Sequence, residues 1–305
     1  MIIPIEKNVY LVQGQKPSRF PYCNCLLIED EVRTIIDTGL EREDLPELKP
    51  GSIELILNSH GHGDHINGNQ AFSQAKVAVH HLEADSLRTP EAFGDSLGLH
   101  KWAELMPVPL NFKVDFDHPG SSLTIKDSRV VRFPESRVDF TFGEGDQIQL
   151  GQVTLTVLHT PGHCAGHSCF YCEAAGILFS TDIDLAYSGP WYGSKSADLD
   201  DFIASIKRIR ELKPRVLIPG HGRLITEKQE QRFAHYLNIL YAREAGLLKL
   251  LREPQTLEEL AKHHLIYEDH VNPLFRYWEK IMVLKHLERL ERSGQIKQQE
   301  GLYFR

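Results

Sequence analysis

The chain has 305 residues, of which 41% are hydrophobic and 25% charged, and its formal net charge is −8. This composition is typical of a soluble globular protein, and it excludes collagen, coiled coils and wholesale disorder. The negative charge argues against a protein that coats nucleic acid by bulk charge. No apolar run approaches the ~20 residues of a membrane span, and the N-terminal residues lack a secretory signal. The five cysteines, an odd number, favour a reducing compartment. We therefore expect a cytoplasmic protein without membrane contact.

Short apolar runs bounded by turn residues dominate the first 220 residues and predict β-strands. A helix is predicted to begin near Asp64, and another is predicted over residues 198–212, where apolar residues share one face. Strands in hairpins that helices then cover imply stacked α and β layers, and so an α/β fold. The predicted strands are 8–13, 24–29, 32–37, 53–58, 76–80, 147–150, 153–159, 168–172, 177–181 and 215–218.

Residues 84–137 interrupt this order, because they carry scattered prolines and no clean periodicity. We interpret them as a long loop inserted in the domain, which predicts a lid over a functional site. A local excess of basic residues fits either a clamp for an anionic group or a solvated hairpin. The residues are Lys126, Arg129, Arg132 and Arg137 against Asp127 and Glu135.

The pattern becomes helical from about residue 227. Thr256 and Glu259 predict a capping box, a helix over 278–292 ends at Ser293-Gly294, and residues 295–304 predict a hairpin. Helix, helix and hairpin is the layout of a winged helix. We therefore predict a catalytic domain of residues 1–230 and a winged-helix-like α+β domain of residues 231–305.

Histidines are unusually frequent, with sixteen in the chain, and they cluster at 60–65 and 159–167. His60, His62, Asp64 and His65 follow a predicted strand. Residues two apart in an extended segment point the same way, so His60 and His62 can bind one ion. Asp64 and His65 then face a second position. Four such residues within six positions argue against an ordinary polar loop.

This His-x-His-x-Asp-His segment resembles the signature of the metallo-β-lactamase-fold hydrolase superfamily. The resemblance covers about residues 8–225 and implies an αβ/βα four-layer sandwich, while the tail resembles the branch that ends in a winged helix. The remaining superfamily motifs are matched in order by Ile36-Asp-Thr-Gly39, His159-Thr-Pro-Gly-His-Cys-Ala-Gly-His167, Ser180-Thr-Asp182 and Pro219-Gly-His-Gly222.

The resemblance implies two divalent metal ions. Zinc suits ligands of nitrogen and oxygen, and iron and manganese accept the same set. Asp37 and His167 are implied to lie behind the ligands. The first ion is implied to bind His60, His62 and His163, the second Asp64, His65 and His221, and Asp182 bridges them.

A hydrolytic mechanism follows from this resemblance. Metal coordination lowers the pKa of water towards ~7, so a bridging hydroxide can attack a carbonyl carbon or a phosphorus. Asp64 is implied to orient this nucleophile and Asp182 to hold it between the ions. Redox diiron proteins of this fold usually have an acidic residue where this chain has His62, and the histidine favours hydrolysis.

The substrate is favoured to be a small ester, thioester or lactone. Residues 1–230 hold 22 Lys and Arg against 32 Asp and Glu, and a multi-phosphate substrate needs several well-placed cations. Trp191 and Tyr192 follow Asp182 closely, and they predict an apolar wall of the cleft unless they only pack in their loop.

Other functions stay open beside a small-molecule hydrolase. The winged-helix resemblance supports an endoribonuclease or phosphodiesterase, and a mononuclear iron oxygenase of this fold is a lesser alternative. A nucleic-acid-binding protein with a vestigial site is disfavoured, because Lys285, Arg289 and Arg292 alternate with acids as on a solvated helix face. We predict that the tail from about residue 231 shapes the substrate entrance or a subunit interface, so a homo-oligomer is one alternative.

Overall fold

The computed structural model describes residues 1–13, 20–41, 43–107, 134–268 and 272–305. Within these ranges two β-sheets precede residue 220, and a small third sheet lies near the C-terminus. The first sheet follows chain order: β1 Ile2–Glu6, β2 Val9–Val12, β3 Cys25–Ile28, β4 Thr34–Ile36, β5 Leu55–Asn58, β6 Lys76–His80 and β7 Phe140–Phe142. The second has the order β12-β11-β10-β9-β8: β8 Gln147–Gln149, β9 Thr154–His159, β10 Ser168–Cys172, β11 Ile177–Thr181 and β12 Val216–Pro219.

Helices cover the outer faces of both sheets, and the third sheet closes the C-terminal part. In the described ranges, no helix combines the length and apolar character needed to cross a bilayer. The helices are α1 Gly63–Ile66, α2 Ala84–Arg88, α3 Pro90–Ser96, α4 Trp102–Leu105, α5 Leu199–Glu211, α6 Gln229–Leu250, α7 Leu257–Ala261 and α8 Pro273–Arg292, and the third sheet contains β13 Gln255–Thr256, β14 Lys297–Gln299 and β15 Leu302–Phe304.

Strand β3 shows why the central strands are mostly apolar. Leu26 and Ile28 pack in the core between the two large sheets. Cys25 and Leu27 point the other way, into the core beneath α2 and α3. Successive side chains of a strand alternate between faces, so a strand buried on both faces is a continuous hydrophobic run. The αβ/βα four-layer sandwich expected from the sequence is confirmed.

The topology places several strand ends at one edge of each sheet. Strands β4 and β5 are parallel, as are β5 and β6, so their carboxyl ends share an edge. In the second sheet β11 and β12 are also parallel. The loops that follow β4, β5, β9, β11 and β12 carry the five superfamily motifs.

The predicted loop over 84–137 is wrong in its first part, which forms α2, α3 and α4. Thr89 caps α3, since its hydroxyl accepts from the backbone N–H of Ala92 at 3.3 Å, and Pro90 opens the helix. Helices this short have no long-range periodicity. Arg137 contacts Asp139 at 3.1 Å. Residues 108–133, with Lys126, Arg129 and Arg132, lie outside the described residues.

The C-terminal elements follow the predicted order. The capping box of Thr256 and Glu259 is present. The hairpin of β14 and β15 turns at Glu300 and Gly301, which have φ of 51° and 80°, as a two-residue type I′ turn requires. Helix α8 contacts α4, α5 and α6. The winged-helix assignment of 231–305 and the boundary at 230 stay predictions.

Candidate metal centre

Seven histidine and aspartate side chains meet where the five motif loops converge. Their ligand atoms form two groups, each with atoms within 4.8 Å of one another. We call them the first and second metal groups. The first contains His60, His62, His163 and Asp182, and the second contains Asp64, His65 and His221.

The carboxylate of Asp182 spans both groups. Its Oδ2 atom lies 3.1 Å from His163 Nε2 in the first group, and its Oδ1 atom lies 3.0 Å from His65 Nε2 in the second. Asp182 follows Thr181, which has a φ of 46°. A positive φ is unusual for a β-branched residue and stores strain. The strained turn at Thr181 places the Asp182 carboxylate between the two metal groups.

In each histidine ring of the first metal group, one nitrogen faces away from the other ligands and forms a hydrogen bond. We call it the outward nitrogen, and the other the inward nitrogen. His62 Nε2 donates to the Ser96 carbonyl at 2.9 Å, and His163 Nδ1 donates to the Trp191 carbonyl at 2.9 Å. His60 Nδ1 lies 2.9 Å from the Ser59 hydroxyl. A carbonyl only accepts, so the inward nitrogens of neutral His62 and His163 carry lone pairs.

The ligand atoms that face one another inside the two groups suit the binding of a cation. His62 Nδ1 and His163 Nε2 are 2.9 Å apart, so two lone pairs face each other in the neutral rings. Burial lowers the pKa of His62 to about 3, which disfavours a proton between them. His60 Nε2, His65 Nε2 and Asp182 Oδ1 are also buried, and none has a hydrogen-bond partner among the described residues. Bound divalent ions would satisfy these atoms.

The charge state of the second group also suits metal binding. Burial alone would lower the pKa of His221, but Asp182 and Asp64 outweigh it and raise that pKa to about 9. Burial would raise the pKa of Asp182, yet His65, His163 and His221 hold it well below its usual range. The two ionised carboxylates thus stabilise positive charge beside His221, and a bound cation would replace the proton on that ring.

A third cluster, of Cys23, Asp37 and His65, adjoins the second group. Burial raises the pKa of the Cys23 thiol well above its usual value, so the thiolate that a metal needs is disfavoured. The Asp37 carboxylate already accepts a hydrogen bond from His65 Nδ1 at 2.8 Å. This cluster therefore supports the second group from behind. All five cysteines of the chain are free and buried.

His167 and Glu83 hold the loops around the ligands. His167 Nε2 accepts from the Thr181 hydroxyl at 2.5 Å and from the backbone N–H of Asp182 at 3.3 Å. Glu83 accepts from the backbone N–H groups of Gly61 at 3.2 Å and Gly166 at 2.9 Å, which ties the two histidine loops together. Sequence reasoning missed Glu83, because no local pattern links it to loops 22 and 83 residues away.

The two predicted cleft residues have different environments. The Trp191 ring lies 5.2 Å from the ring of His62 and 5.3 Å from that of His163. Tyr192 is 0% exposed, and its hydroxyl contacts His286 at 2.7 Å and Arg243 at 2.9 Å. Tyr192 therefore packs behind the loop, and we retain only Trp191 as a cleft residue.

Known proteins are similar to this chain in sequence and in fold. The family model described as the metallo-beta-lactamase superfamily matches residues 19–221. The Homo sapiens protein named Acyl-coenzyme A thioesterase MBLAC2 is 31% identical over 239 residues, which are 70% of this chain and 72% of that protein.

Solved structures agree with this match. A metallo-beta-lactamase family protein from Thermus thermophilus, TTHA1429, has a TM-score of 0.75 and 26% identity, and the match covers 98% of this chain and 99% of that one. TTHA1623, solved in a di-iron-bound form, has a TM-score of 0.51 and 26% identity over 72% of this chain and 96% of its own.

The fold and the paired groups of histidines and aspartates define a metal-dependent hydrolase. The family-model match covers well over half of the chain and agrees with the motif order. The chain belongs to the metallo-beta-lactamase superfamily.

Proposed function

We propose that this protein is a binuclear metal-dependent hydrolase that cleaves small thioesters. The observation that carries the proposal is the Asp182 carboxylate, whose two oxygens face one metal group each, at 3.1 Å and 3.0 Å from histidine nitrogens. Such a bridge suits two ions that share one reaction centre.

The metal ligands in this proposal are the residues of the two groups. His60, His62 and His163 would hold one ion, Asp64, His65 and His221 the other, and Asp182 both. When bound, the ions would lower the pKa of a water molecule and polarise the substrate carbonyl. We propose zinc for both positions. The nitrogen and oxygen donors also accept iron or manganese, and the di-iron form of TTHA1623 makes iron the first alternative to test.

The chain's own residues would prepare the site for this chemistry. Asp37 and the Ser96 and Trp191 carbonyls orient the histidine rings. Burial of the inward atoms excludes bulk water, which strengthens electrostatic interactions there. Burial raises the pKa of the Cys164 thiol well above its usual value, so this neighbour of His163 is a poor nucleophile.

Three observations favour a thioester over RNA. The relative named as an acyl-coenzyme A thioesterase matches 70% of this chain at 31% identity. Residues 1–230 are net acidic, with 22 basic against 32 acidic residues, which opposes the approach of a multi-phosphate backbone. The partly buried Trp191 ring beside the first metal group gives an acyl substrate an apolar contact.

A substrate panel tests the proposal. Metal-loaded protein is assayed for kcat/KM on acyl-coenzyme A thioesters, a lactone, a phosphodiester and single-stranded RNA. The Asp182→Ala variant controls for contaminating enzymes. We expect efficient thioester hydrolysis that depends on Asp182. Asp182-dependent RNA cleavage without thioester hydrolysis would replace the proposal with a nuclease, and oxygen uptake by iron-loaded protein would indicate an oxygenase.

A further inference from the structure

We propose that three side chains of the helices after residue 228 position two histidines of the first metal group and none of the second. The histidines are His62 and His163, and the positioning residues are Arg243 on α6 and Tyr277 and Trp278 on α8. The inference rests on the proposed binuclear function, because it assigns different supports to the two ions.

The first route runs from Arg243 to His163. Arg243 is 6% exposed, and its guanidinium donates to three acceptors that bracket Trp191 in the chain. The Trp191 carbonyl in turn accepts from His163 Nδ1 at 2.9 Å. A guanidinium suits this role, because its planar fork offers several donors in fixed directions. The acceptors are the Ser188 carbonyl at 3.1 Å, the Pro190 carbonyl at 3.4 Å and the Tyr192 hydroxyl at 2.9 Å.

The second route runs from α8 to His62. The Ser96 carbonyl, at the end of α3, accepts from His62 Nε2 at 2.9 Å. The carbonyls of the next two residues accept from Trp278 Nε1, at 3.2 Å, and from the Tyr277 hydroxyl. Tyr277 also accepts from the backbone N–H of Lys101 at 3.2 Å. Helix α8 thus fixes the segment that holds the His62 ring.

The two routes meet next to the first metal group. Gly98 has a φ of 74°, and its backbone packs so closely on Gly193 that a Cβ atom there would lie 1.9 Å from the Gly193 carbonyl oxygen. The indole rings of Trp191 and Trp278 are 5.7 Å apart in an edge-to-face arrangement. A displacement of α8 would therefore shift the segments that orient both His62 and His163.

The second group is supported from the N-terminal half instead. Asp37, which follows β4, accepts from His65 Nδ1 at 2.8 Å. Asn24 Nδ2 donates to the carbonyls of Pro219 at 2.8 Å and Gly222 at 3.0 Å, on either side of His221. These supports come from residues before α6. Tyr236 on α6 does contact the backbone carbonyl of Asp182 at 3.3 Å, but Asp182 serves both groups. Arg243, Tyr277 and Trp278 bond instead to the segments around Trp191 and Ser96.

This asymmetry predicts an effect on one ion only. Partners behind metal ligands typically change metal affinity by about 10- to 100-fold when they are removed. The test uses the full chain with Arg243→Met and Tyr277→Phe, and with Arg243→Lys as a conservative variant. The matched controls are Arg252→Met, which removes an exposed charge beyond the end of α6, and Tyr241→Phe, which removes an exposed hydroxyl.

The readout is the affinity of each equivalent of Zn²⁺, measured by competition with a chelator, together with the visible spectrum of the Co²⁺-loaded protein. We expect one equivalent to weaken by about tenfold in Tyr277→Phe and up to about 100-fold in Arg243→Met, with the other within about twofold. Arg243→Lys should lie between Arg243→Met and wild type. Both controls should match wild type.

Several results would overturn the inference. Equal weakening of both equivalents would show general destabilisation, and unchanged affinities in Tyr277→Phe and Arg243→Met would show that the routes do not matter. If Arg243→Met fails to fold by circular dichroism, Tyr277→Phe decides. A wild-type chain that binds one ion only contradicts the binuclear proposal separately, and the affinity of that ion in the variants still decides the inference.

Discussion

Asp37 accepts a hydrogen bond from His65 across 2.8 Å, and both side chains are fully buried. The same carboxylate accepts from the Ser59 backbone N–H and hydroxyl, each at 2.8 Å. An ionised carboxylate only accepts, so in the neutral His65 ring it places the proton on Nδ1 and leaves the Nε2 lone pair facing Asp182. The Ser59 hydroxyl, having donated to Asp37, is free to accept from His60 Nδ1 at 2.9 Å. Asp37 thus fixes one histidine of each metal group.

We therefore expect Asp37→Asn to weaken metal binding without unfolding the chain. The amide keeps the shape of the carboxylate, but its nitrogen donates, which favours the His65 tautomer with the proton facing the ion. The expected loss of metal affinity is about 10- to 100-fold. Equilibrium dialysis with Zn²⁺ measures it. The control is Asp30→Asn, in the turn between β3 and β4, where the carboxylate accepts from the backbone N–H groups of Glu31 and Val153. Wild-type affinity in Asp37→Asn would show that the hydrogen bond does not set the tautomer.

Asp182→Ala should abolish turnover while the protein stays folded. One carboxylate serves both groups, so its loss removes a ligand from each position and leaves two cations without the charge between them. We expect kcat/KM to fall by at least about 100-fold. Asp201→Ala removes an exposed carboxylate from α5 and should retain full activity. Wild-type turnover by a well-folded Asp182→Ala protein would contradict the bridging role.

Much of the catalytic fold could be predicted from the sequence, because its central strands β3, β4, β5, β11 and β12 are fully buried and form mostly apolar runs. The motif residues could be grouped through the family resemblance, since the motifs follow strand ends that share an edge. The helices within residues 84–105 were harder to predict, because they have at most seven residues each. The Thr89-Pro90 cap was a usable local signal for α3 that periodicity alone ignored.

Contacts distant in sequence could not be predicted. Tyr192 is an aromatic residue in a loop after a motif, which suggested a cleft wall. Its burial depends on Arg243 and His286, which lie 51 and 94 residues further along the chain. No residue near Tyr192 in the sequence indicates these partners. The same holds for Glu83, whose acceptor role requires two separate histidine loops to come together first.

Metal analysis should find two equivalents per chain in protein purified without chelator. The two groups have distinct ligand sets, so His221→Ala should lose one equivalent and keep the other. A strong chelator should abolish activity, and Zn²⁺ should restore it. His235→Ala, an exposed histidine of α6, should keep both equivalents. A single equivalent in wild type, unchanged by His221→Ala, would rule out the binuclear site.

Glu244 should make stability depend on acidic pH. Burial would raise its pKa, but His286 and Arg289 outweigh this and lower the pKa below its ordinary value of 4.5. Arg289 Nη1 lies 2.6 Å from both carboxylate oxygens. A pKa that is lowered in the folded state contributes stability above about pH 4.5, which is lost as the pH falls through the folded value.

We expect Glu244→Gln to lower the free energy of unfolding by about 2 kcal/mol at pH 7, because it removes a charged hydrogen bond. The loss should shrink as the pH falls below about 4.5, where wild type also loses the charge. Urea unfolding across this pH range measures both effects, with the exposed Glu253→Gln as control. A loss of the same size at pH 3 would show that the charge of Glu244 contributes nothing.

The cations of α8 are already engaged by other parts of the chain, which bears on nucleic-acid binding. Arg289 pairs with Asp200 at 2.6 Å, and Arg292 pairs with Asp198 at 2.7 Å. Lys285 donates to the Lys195 carbonyl at 3.0 Å. Binding to phosphates would require these contacts to break, so this helix face is poorly suited to read a duplex.

We therefore expect the full chain to bind neither a defined DNA sequence nor single-stranded RNA more tightly than about micromolar at physiological salt, the range of non-specific contacts. Fluorescence anisotropy over a salt series measures this. The paired variant Arg289→Gln with Arg292→Gln should change nucleic-acid binding little, because its cations face Asp198 and Asp200, and should instead loosen α8. Nanomolar binding that these substitutions abolish would show that α8 leaves its partners to contact phosphates, and would favour the nuclease over the thioesterase.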